Sequence, residues 1–375
     1  IATTRYKFND YTPALFKTSD YGKTWTNISK GIPYGAFTRV VREDTEKKGL
    51  LFAGTEQGMY ISRNGGADWN SFQLNLPVTP ITDLKVAHND LIVATSGRSF
   101  WILDELNVVR ELQPKVEKIT LYTPENALLG NWYSSMNGGN LNEFTGTHPF
   151  QGQNPANGMV IHYHLPETVT DSTEVTLEIK DAAGNLVRKL SSKKNPDAKR
   201  WEGGPPLDPA LSARKGLNRF VWDLRYPTLP GIEGVYIESS YRGHKAIPGT
   251  YTLTLSGMGS TAEAKAEIKD IPAYKLTKAD YQAYHAWMSQ LEAEVKAMHD
   301  MINTAKDYQD QLAGLLKKLE GKEEYEDLKT AGEKLLKEMK AWDEDMIQRR
   351  STAYDDVENF PNKFTANFLF MMNHG

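Results

Sequence analysis

One short pattern occurs twice near the start of the chain and constrains the fold more than any other feature. The stretch TSDYGKTW, residues 18–25, returns as SRNGGADW, residues 62–69, at an offset of 44 residues. A third, partial copy pairs AGTEQGMYIS, residues 53–62, with VATSGRSFWI, residues 93–102. A repeat of about 40–50 residues has the length of a β-propeller blade. Residues 1–112 are therefore predicted to form the final two to three blades of a propeller.

The residue types of the repeated pattern suit a structural turn. Short Ser, Thr, Asp and Asn side chains bond to nearby backbone amides, and glycine allows positive φ where the chain reverses. A tryptophan can then pack between sheets if its indole N–H finds an acceptor. Asn64 replaces the acid of the first copy, and an amide cannot serve as a general base. Eight residues are thus expected to be structural: Thr18, Asp20, Gly22, Trp25, Ser62, Asn64, Gly66 and Trp69.

The pattern T/S-x-D/N-x-G-x-x-W resembles the Asp-box, or BNR repeat, of sialidases, xyloglucanases and sortilin-type receptors. Longer phrases such as AFTRVVREDTEKKGLLFAGTEQGMYIS and LNRFVWDLRYP resemble large secreted BNR-repeat proteins of Bacteroidota, known as sortilin-like proteins or glycosyl hydrolases. The resemblance is strongest in residues 10–106 and 215–256. The resemblance implies that this chain is the C-terminal portion of such a protein. The upstream propeller blades of the same polypeptide would then pack against it as a partner. The resemblance also implies a secreted, periplasmic or outer-membrane location in a Gram-negative bacterium.

Composition excludes several classes of function. The net charge is -4, without the strongly basic stripe of a nucleic-acid-binding protein. Cysteine is absent, which excludes disulfides, thiolate catalysis and cysteine-ligated metals. No apolar run approaches the roughly 18 residues of a membrane span. We expect both chain ends to be cuts in a longer polypeptide.

The residue composition of the chain changes at about residue 113 and again at about residue 159. Residues 113–158 are rich in Gly, Asn and Pro and are predicted to be a linker. Short alternating strands within residues 159–272 predict a β-sandwich of immunoglobulin or fibronectin type, with a hairpin turn at residues 181–185. Two long loops interrupt it, at residues 192–214 and 226–246.

Residues 273–375 are predicted to form an antiparallel helical hairpin plus a further short helix. Thr277 precedes Asp280 by three residues, which is typical of a helix N-terminal cap. Apolar residues then recur at 3-4 spacing until the stretch EGKEE, residues 320–324, breaks the first helix. The predicted fold class is therefore mainly β with an α-helical C-terminal part.

Candidate binding residues fall into two groups. Arg39 and Arg98 sit near the ends of predicted inner strands, where side chains face a propeller channel; salt bridges between blades are the alternative. The second long loop offers Tyr236, Tyr241 and Arg242 to a glycan or protein, unless the loop simply packs on a neighbouring domain.

Metal and cofactor chemistry is not expected. His162 and His164 share one face of a predicted strand, which is a minimal metal-binding geometry, but no third ligand has matching spacing. We expect no metal, no cofactor and no catalytic residue in this chain.

Three functions remain open. The first is a binding or scaffolding protein at the cell surface that engages protein or glycan. The second is an accessory part of a glycoside hydrolase whose catalytic residues lie in upstream blades. The third is a subunit of an outer-membrane assembly.

Overall fold

The computed structural model describes residues 1–113, 115–130, 156–170, 173–361 and 363–372. The chain forms two compact units, Ile1–Pro114 and Lys115–Gly375. The first is built from antiparallel sheets, and the second combines two sheets with a C-terminal helical region. Most of the predicted linker, residues 131–155, lies outside the described residues.

Three sheets follow one another in the first unit, and each consists of strands that are consecutive in sequence. The first sheet contains β1 (Ala2–Arg5), β2 (Asp10–Lys17) and β3 (Thr26–Asn27). The second contains β4 (Thr38–Glu43), β5 (Leu51–Thr55), β6 (Gly58–Ser62) and β7 (Asn70–Ser71). The third contains β8 (Ile81–Ala87), β9 (Asp90–Thr95) and β10 (Phe100–Leu103), and a short helix, α1 (Leu106–Glu111), follows it.

These sheets pack on one another through their first strands, because β4 contacts both β1 and β8. Apolar side chains from the second and third sheets share one core that includes Phe52, Ile81 and Leu91. The 40-residue offset in the sequence reappears here, since the β5–β6 hairpin corresponds to the β9–β10 hairpin. A propeller ring takes about four to eight blades. The structure therefore shows a repetitive β-rich unit, and the propeller itself stays a proposal.

Charged pairs join the elements of the first unit. Arg42 on β4 donates to Asp83 on β8 at 2.7 Å, which is a salt bridge between successive sheets. Arg110 on α1 forks onto both carboxylate oxygens of Asp44, with Nε at 2.9 and 3.1 Å. Burial would raise the pKa of Asp44, but hydrogen bonds from Arg110 and from two backbone amides outweigh it and lower that pKa. Asp44 is thus held ionised as a structural anchor.

The second unit contains two sheets that share one hydrophobic core. The smaller has the order β11-β13-β16, with β11 (Thr120–Leu121), β13 (Met159–Leu165) and β16 (Gly216–Trp222). The larger has the order β12-β18-β17-β14-β15, with β12 (Ala127–Leu128), β14 (Thr176–Lys180), β15 (Leu186–Ser191), β17 (Gly249–Gly257) and β18 (Ser260–Lys269). The turn predicted at residues 181–185 joins β14 to β15, where the Asp181 carboxylate accepts two backbone amides.

Two long helices follow, α2 (Lys278–Leu319) and α3 (Glu326–Met346). The predicted cap at Thr277 and Asp280 is confirmed as a reciprocal capping box, and α2 ends just before the predicted break. The Gln309 amide donates to the carbonyl of Met339 at 3.2 Å, and a side chain at Gly332 would collide with Leu316.

These contacts set α2 and α3 antiparallel at close range.

Two short helices complete the unit, α4 (Asp356–Asn359) and α5 (Phe364–Met372). In the described part of the chain, no helix combines the length and apolar character that crossing a membrane requires.

The long loop at residues 226–246 packs against these helices. Leu229, Ile232 and Tyr241 share a core with Val295 of α2 and Leu369 of α5. The loop therefore belongs to the helical core, which is the arrangement expected of a covering loop.

Candidate functional site: an aromatic rim on the first unit

The first repeated turn is closed by its own polar side chains. The carboxylate of Asp20 accepts the Thr24 amide at 2.8 Å and the hydroxyls of Thr18 and Thr24 at 2.8 and 2.6 Å. The Gly22 amide donates to the Thr18 hydroxyl at 2.8 Å. The Thr24 hydrogen bonds, followed by that of Thr18, lower the pKa of Asp20 to about 2. A carboxylate this firmly ionised accepts hydrogen bonds and does not deliver protons at neutral pH.

The second turn repeats this network with an amide in place of the acid. Ser62 donates to Asn64 Oδ1 at 2.9 Å, and the amides of Gly66 and Asp68 donate to Ser62 and Asn64 at 2.9 and 3.0 Å. The carboxylate of Asp68 accepts a hydrogen bond from the Asn64 amide at 3.3 Å and pairs with Lys30 at 2.9 Å, and the ion pair lowers the pKa of Asp68. The side-chain hydrogen bonds of both turns thus serve the fold.

The two tryptophans of the turns have different surroundings. Trp69 is 3% exposed, and its indole N–H donates to the carbonyl of Ile28 at 2.6 Å. It packs between the first and second sheets, so closely that a side chain at Gly31 would collide with its backbone. Trp25 is 46% exposed and donates to Gly22 of its own turn. Of the two tryptophans, Trp69 packs between sheets as predicted, and Trp25 contacts its own turn.

The opposite ends of the same strands form a second set of turns. They connect β1 to β2 at residues 6–9, β5 to β6 at 56–57 and β9 to β10 at 96–99. The 56–57 turn is tied to the entry of β4 by the Glu56 amide, which donates to Phe37 at 3.0 Å. The Ser96 amide makes the corresponding bond to Pro80, before β8, at 2.9 Å. These turns therefore occupy equivalent positions in successive sheets.

Aromatic side chains gather at the turn of the first sheet. Tyr6 stacks on Phe37 with ring centroids 5.1 Å apart, and Tyr11 lies 6.0 Å from Phe37 and 6.3 Å from Tyr34. Phe37 is buried, whereas Tyr34 and Phe8 are 70% and 81% exposed. We call this group the aromatic rim: Tyr6, Phe8, Tyr11, Tyr34 and Phe37.

Arg39, one of the predicted binding residues, borders the aromatic rim. Its guanidinium lies 5.3 Å from the centroid of the Phe37 ring, and its Nε and Nη2 donate to Glu56 at 2.6 and 2.5 Å. Both charged side chains are about one-third exposed, at 32% each. The rim therefore has a fixed, hydrogen-bonding ion pair beside its apolar rings.

Arg98, the other predicted arginine, lies in the β9–β10 turn. Its amide donates to Thr95 Oγ1 at 3.1 Å and its guanidinium to the carbonyl of Gly97 at 2.9 Å. Within the described residues no carboxylate pairs with it, and its side chain is exposed. No contact in the described structure joins Arg98 to Arg39.

The three predicted loop residues of the second unit do not form one surface site. Tyr241 is 2% exposed, and burial raises the pKa of its hydroxyl. Tyr236 packs edge-on against Tyr354 at 6.3 Å, and Arg242 is exposed. Only Arg242 of this group faces solvent freely.

Sequence reasoning missed a histidine pair, in which His244 is buried and His285 is half-buried. His244, in the long loop, bonds through Nδ1 to Glu292 at 2.9 Å and through Nε2 to His285 Nδ1 at 2.8 Å. The Tyr226 ring stacks on His244 at 4.3 Å. Only one of the two facing nitrogens can carry a proton, so the pair shares a single N–H. These bonds fasten the loop to α2.

No local signal could have revealed that pair, since His244 and His285 lie 41 residues apart. Burial, and then the neighbouring His244, lower the pKa of His285.

On β13, burial and Arg219 lower the pKa of His162 to about 4. Within the residues that the structure describes, no three His, Asp or Glu side chains converge as a metal site.

Comparison with known proteins adds little. No protein-family model matches the sequence, and no curated protein matches it. Two matching crystal structures show the extracellular domain of a B. thetaiotaomicron protein, described once as a one component system and once as a hybrid two component system. Both are 12% identical with a TM-score of 0.22, and 69% and 70% of this chain is covered. The chain spans only 28% and 29% of those structures, and at this TM-score the likeness carries no argument.

Proposed function

We propose that the chain belongs to a secreted or cell-surface binding protein of the Asp-box propeller type, and that the aromatic rim binds a glycan. The repeated turns and the stacked sheets support the propeller. The extracellular placement follows from the resemblance of the sequence to secreted BNR-repeat proteins.

The single observation that carries the binding role is the group of exposed rings beside the Arg39–Glu56 pair. Contiguous exposed apolar surface is uncommon on soluble proteins and marks interaction sites. A tyrosine ring offers an apolar face and a hydroxyl tip. A sugar ring offers the complement, an apolar C–H face bordered by hydroxyls, and the ion pair supplies hydrogen-bond donors and acceptors for those hydroxyls.

A polysaccharide panel tests the proposal. The purified chain would be titrated with soluble β-glucans and sialylated oligosaccharides by isothermal titration calorimetry. Tyr34→Ala removes the most exposed tyrosine of the rim and is expected to weaken binding about tenfold, as for a central aromatic contact. Tyr21→Ala is the matched control, because Tyr21 is fully exposed and lies in the turn at the other end of β2.

Two results would contradict the proposal. One is the absence of binding to every carbohydrate of the panel at millimolar concentration. The other is an equal loss of affinity in the Tyr34→Ala and Tyr21→Ala variants, which would make the contact non-specific.

A further inference from the structure

A cleft in the second unit carries an inference that is independent of the aromatic rim. It has a volume of about 560 Å³ and is lined by residues of α2, α3 and the segments that follow α3. Small-molecule sites in proteins typically measure about 300–1,000 Å³. The cleft is therefore large enough for a small organic ligand.

An ion pair built on a buried carboxylate forms one wall of this cleft. Arg349 forks onto Asp343, with Nε and Nη2 at 2.5 and 2.7 Å from its two carboxylate oxygens. Asp343 is 5% exposed, so the pair is fixed in place. The two charges compensate each other and leave the remaining lining residues to set the charge of the cleft.

Those remaining residues are predominantly cationic. Lys340, Arg350 and Lys363 line the cleft, and none has an ion-pair partner among the described residues. Glu344 is the one unpaired acid of the lining. Three positive charges against one negative leave an excess of two, in a chain whose net charge is -4.

Arg350 is oriented before any ligand arrives. Its guanidinium stacks 4.7 Å from the centroid of the Phe360 ring, and its Nε donates weakly to Gln348 at 3.5 Å. When the flat face of a guanidinium stacks on a ring, the N–H groups at its edge can still donate to a carboxylate or a phosphate.

We propose that this cleft binds a small polyanion that carries two or more carboxylate or phosphate groups. Arg350 supplies the directional contact, and Lys340 and Lys363 supply point charges for the second group. Carboxylate and phosphate share the oxyanion chemistry that these side chains recognise, and the titration separates the two.

The test is a calorimetric titration of the purified chain with citrate and, separately, with pyrophosphate, at low and high ionic strength. Saturable binding of either anion that weakens with salt is expected. Arg350→Gln and Lys363→Gln should each weaken it about tenfold through loss of a charge-assisted contact. Lys337→Gln removes the same charge from the exposed surface of α3 outside the cleft and should leave the affinity within about twofold.

Preference for citrate or for pyrophosphate identifies the anionic group, and either supports the proposal. Absence of binding to both anions at millimolar concentration would overturn it. So would an equal loss in Lys337→Gln, since that result indicates attraction by overall charge. Circular dichroism of each variant confirms that the helices are intact, and Arg350→Lys separates charge from the forked geometry by restoring only part of the affinity.

Discussion

Replacement of Trp69 by alanine should destabilise the first unit far more than the same change at Trp25. The two residues hold the same place in the same sequence pattern, so the comparison isolates their surroundings. Trp69 is 3% exposed between two sheets, and Trp25 is 46% exposed against its own turn. Each variant is the matched control of the other.

The magnitude follows from burial and hydrogen bonding. Removing a buried aromatic ring costs about 3–5 kcal/mol through lost transfer energy and the cavity left behind. Loss of the indole bond to the Ile28 carbonyl adds about 1 kcal/mol. Trp69→Ala should therefore lower the free energy of unfolding by about 4–6 kcal/mol. Trp25→Ala leaves no closed cavity and removes about half the burial, which corresponds to about 1–2 kcal/mol.

Urea denaturation followed by circular dichroism measures both losses in the intact chain. Trp69→Phe adds a third point, because it keeps most of the apolar volume and loses the N–H donor. Its loss should fall between those of the two alanine variants. Equal losses in Trp69→Ala and Trp25→Ala, within about 1 kcal/mol, would refute the role assigned to Trp69 as the residue that joins the two sheets.

Two further predictions concern charge. The folded-state pKa of His162 is about 4, below its unfolded value of 6.5, so its stabilisation is complete above pH 6.5 and is lost as the pH falls towards 4. Between pH 8 and pH 5 the free energy of unfolding should fall by about 2 kcal/mol because of His162. Urea unfolding at the two pH values measures this fall, which should be absent from His162→Gln. The same pH dependence in the original chain and in His162→Gln would contradict the prediction. Asp44→Asn removes the buried carboxylate that Arg110 binds and leaves only the exposed Glu46, 3.0 Å from its guanidinium, as a counter-charge. It should lower the free energy of unfolding by about 3 kcal/mol, the low end of the range for a broken buried pair. Asp83→Asn changes the exposed partner of Arg42 and should lower the free energy of unfolding by less than about 1 kcal/mol in the same assay. A similar loss in the Asp44→Asn and Asp83→Asn variants would contradict the view that Asp44 is a buried anchor.

Features set by neighbouring residues could be predicted from the sequence. The cap of α2 at Thr277 and the turn at residues 181–185 depend on bonds that span only a few positions, and the structure contains both. The hydrogen bonds of the two repeated turns likewise run between residues two to four apart. Local chemistry leaves few alternatives at such short range.

The candidate sites depended on contacts that sequence reasoning could not supply. The sequence offers Arg39 as a candidate binding residue, yet its partner Glu56 in the β5–β6 turn reaches it only because β4 pairs with β5. The Phe37 ring beside Arg39 meets Tyr11 only because the first two sheets pack together. The His244–His285 pair joins a loop to a helix, and the cationic cleft gathers residues from several segments. Contacts between residues that are distant in sequence depend on which sheets, helices and loops pack against one another.

The sequence by itself therefore determined the repeat, the turns, the alternating strands and the two ends of α2, because these follow from backbone preferences and side-chain bonds over a few residues. Only the tertiary structure decided that Trp69 is buried while Trp25 is half exposed, and that Tyr241 packs inside while Tyr34 faces solvent. Burial is a property of the neighbours that a side chain meets, and identical motifs acquire different neighbours when the elements pack.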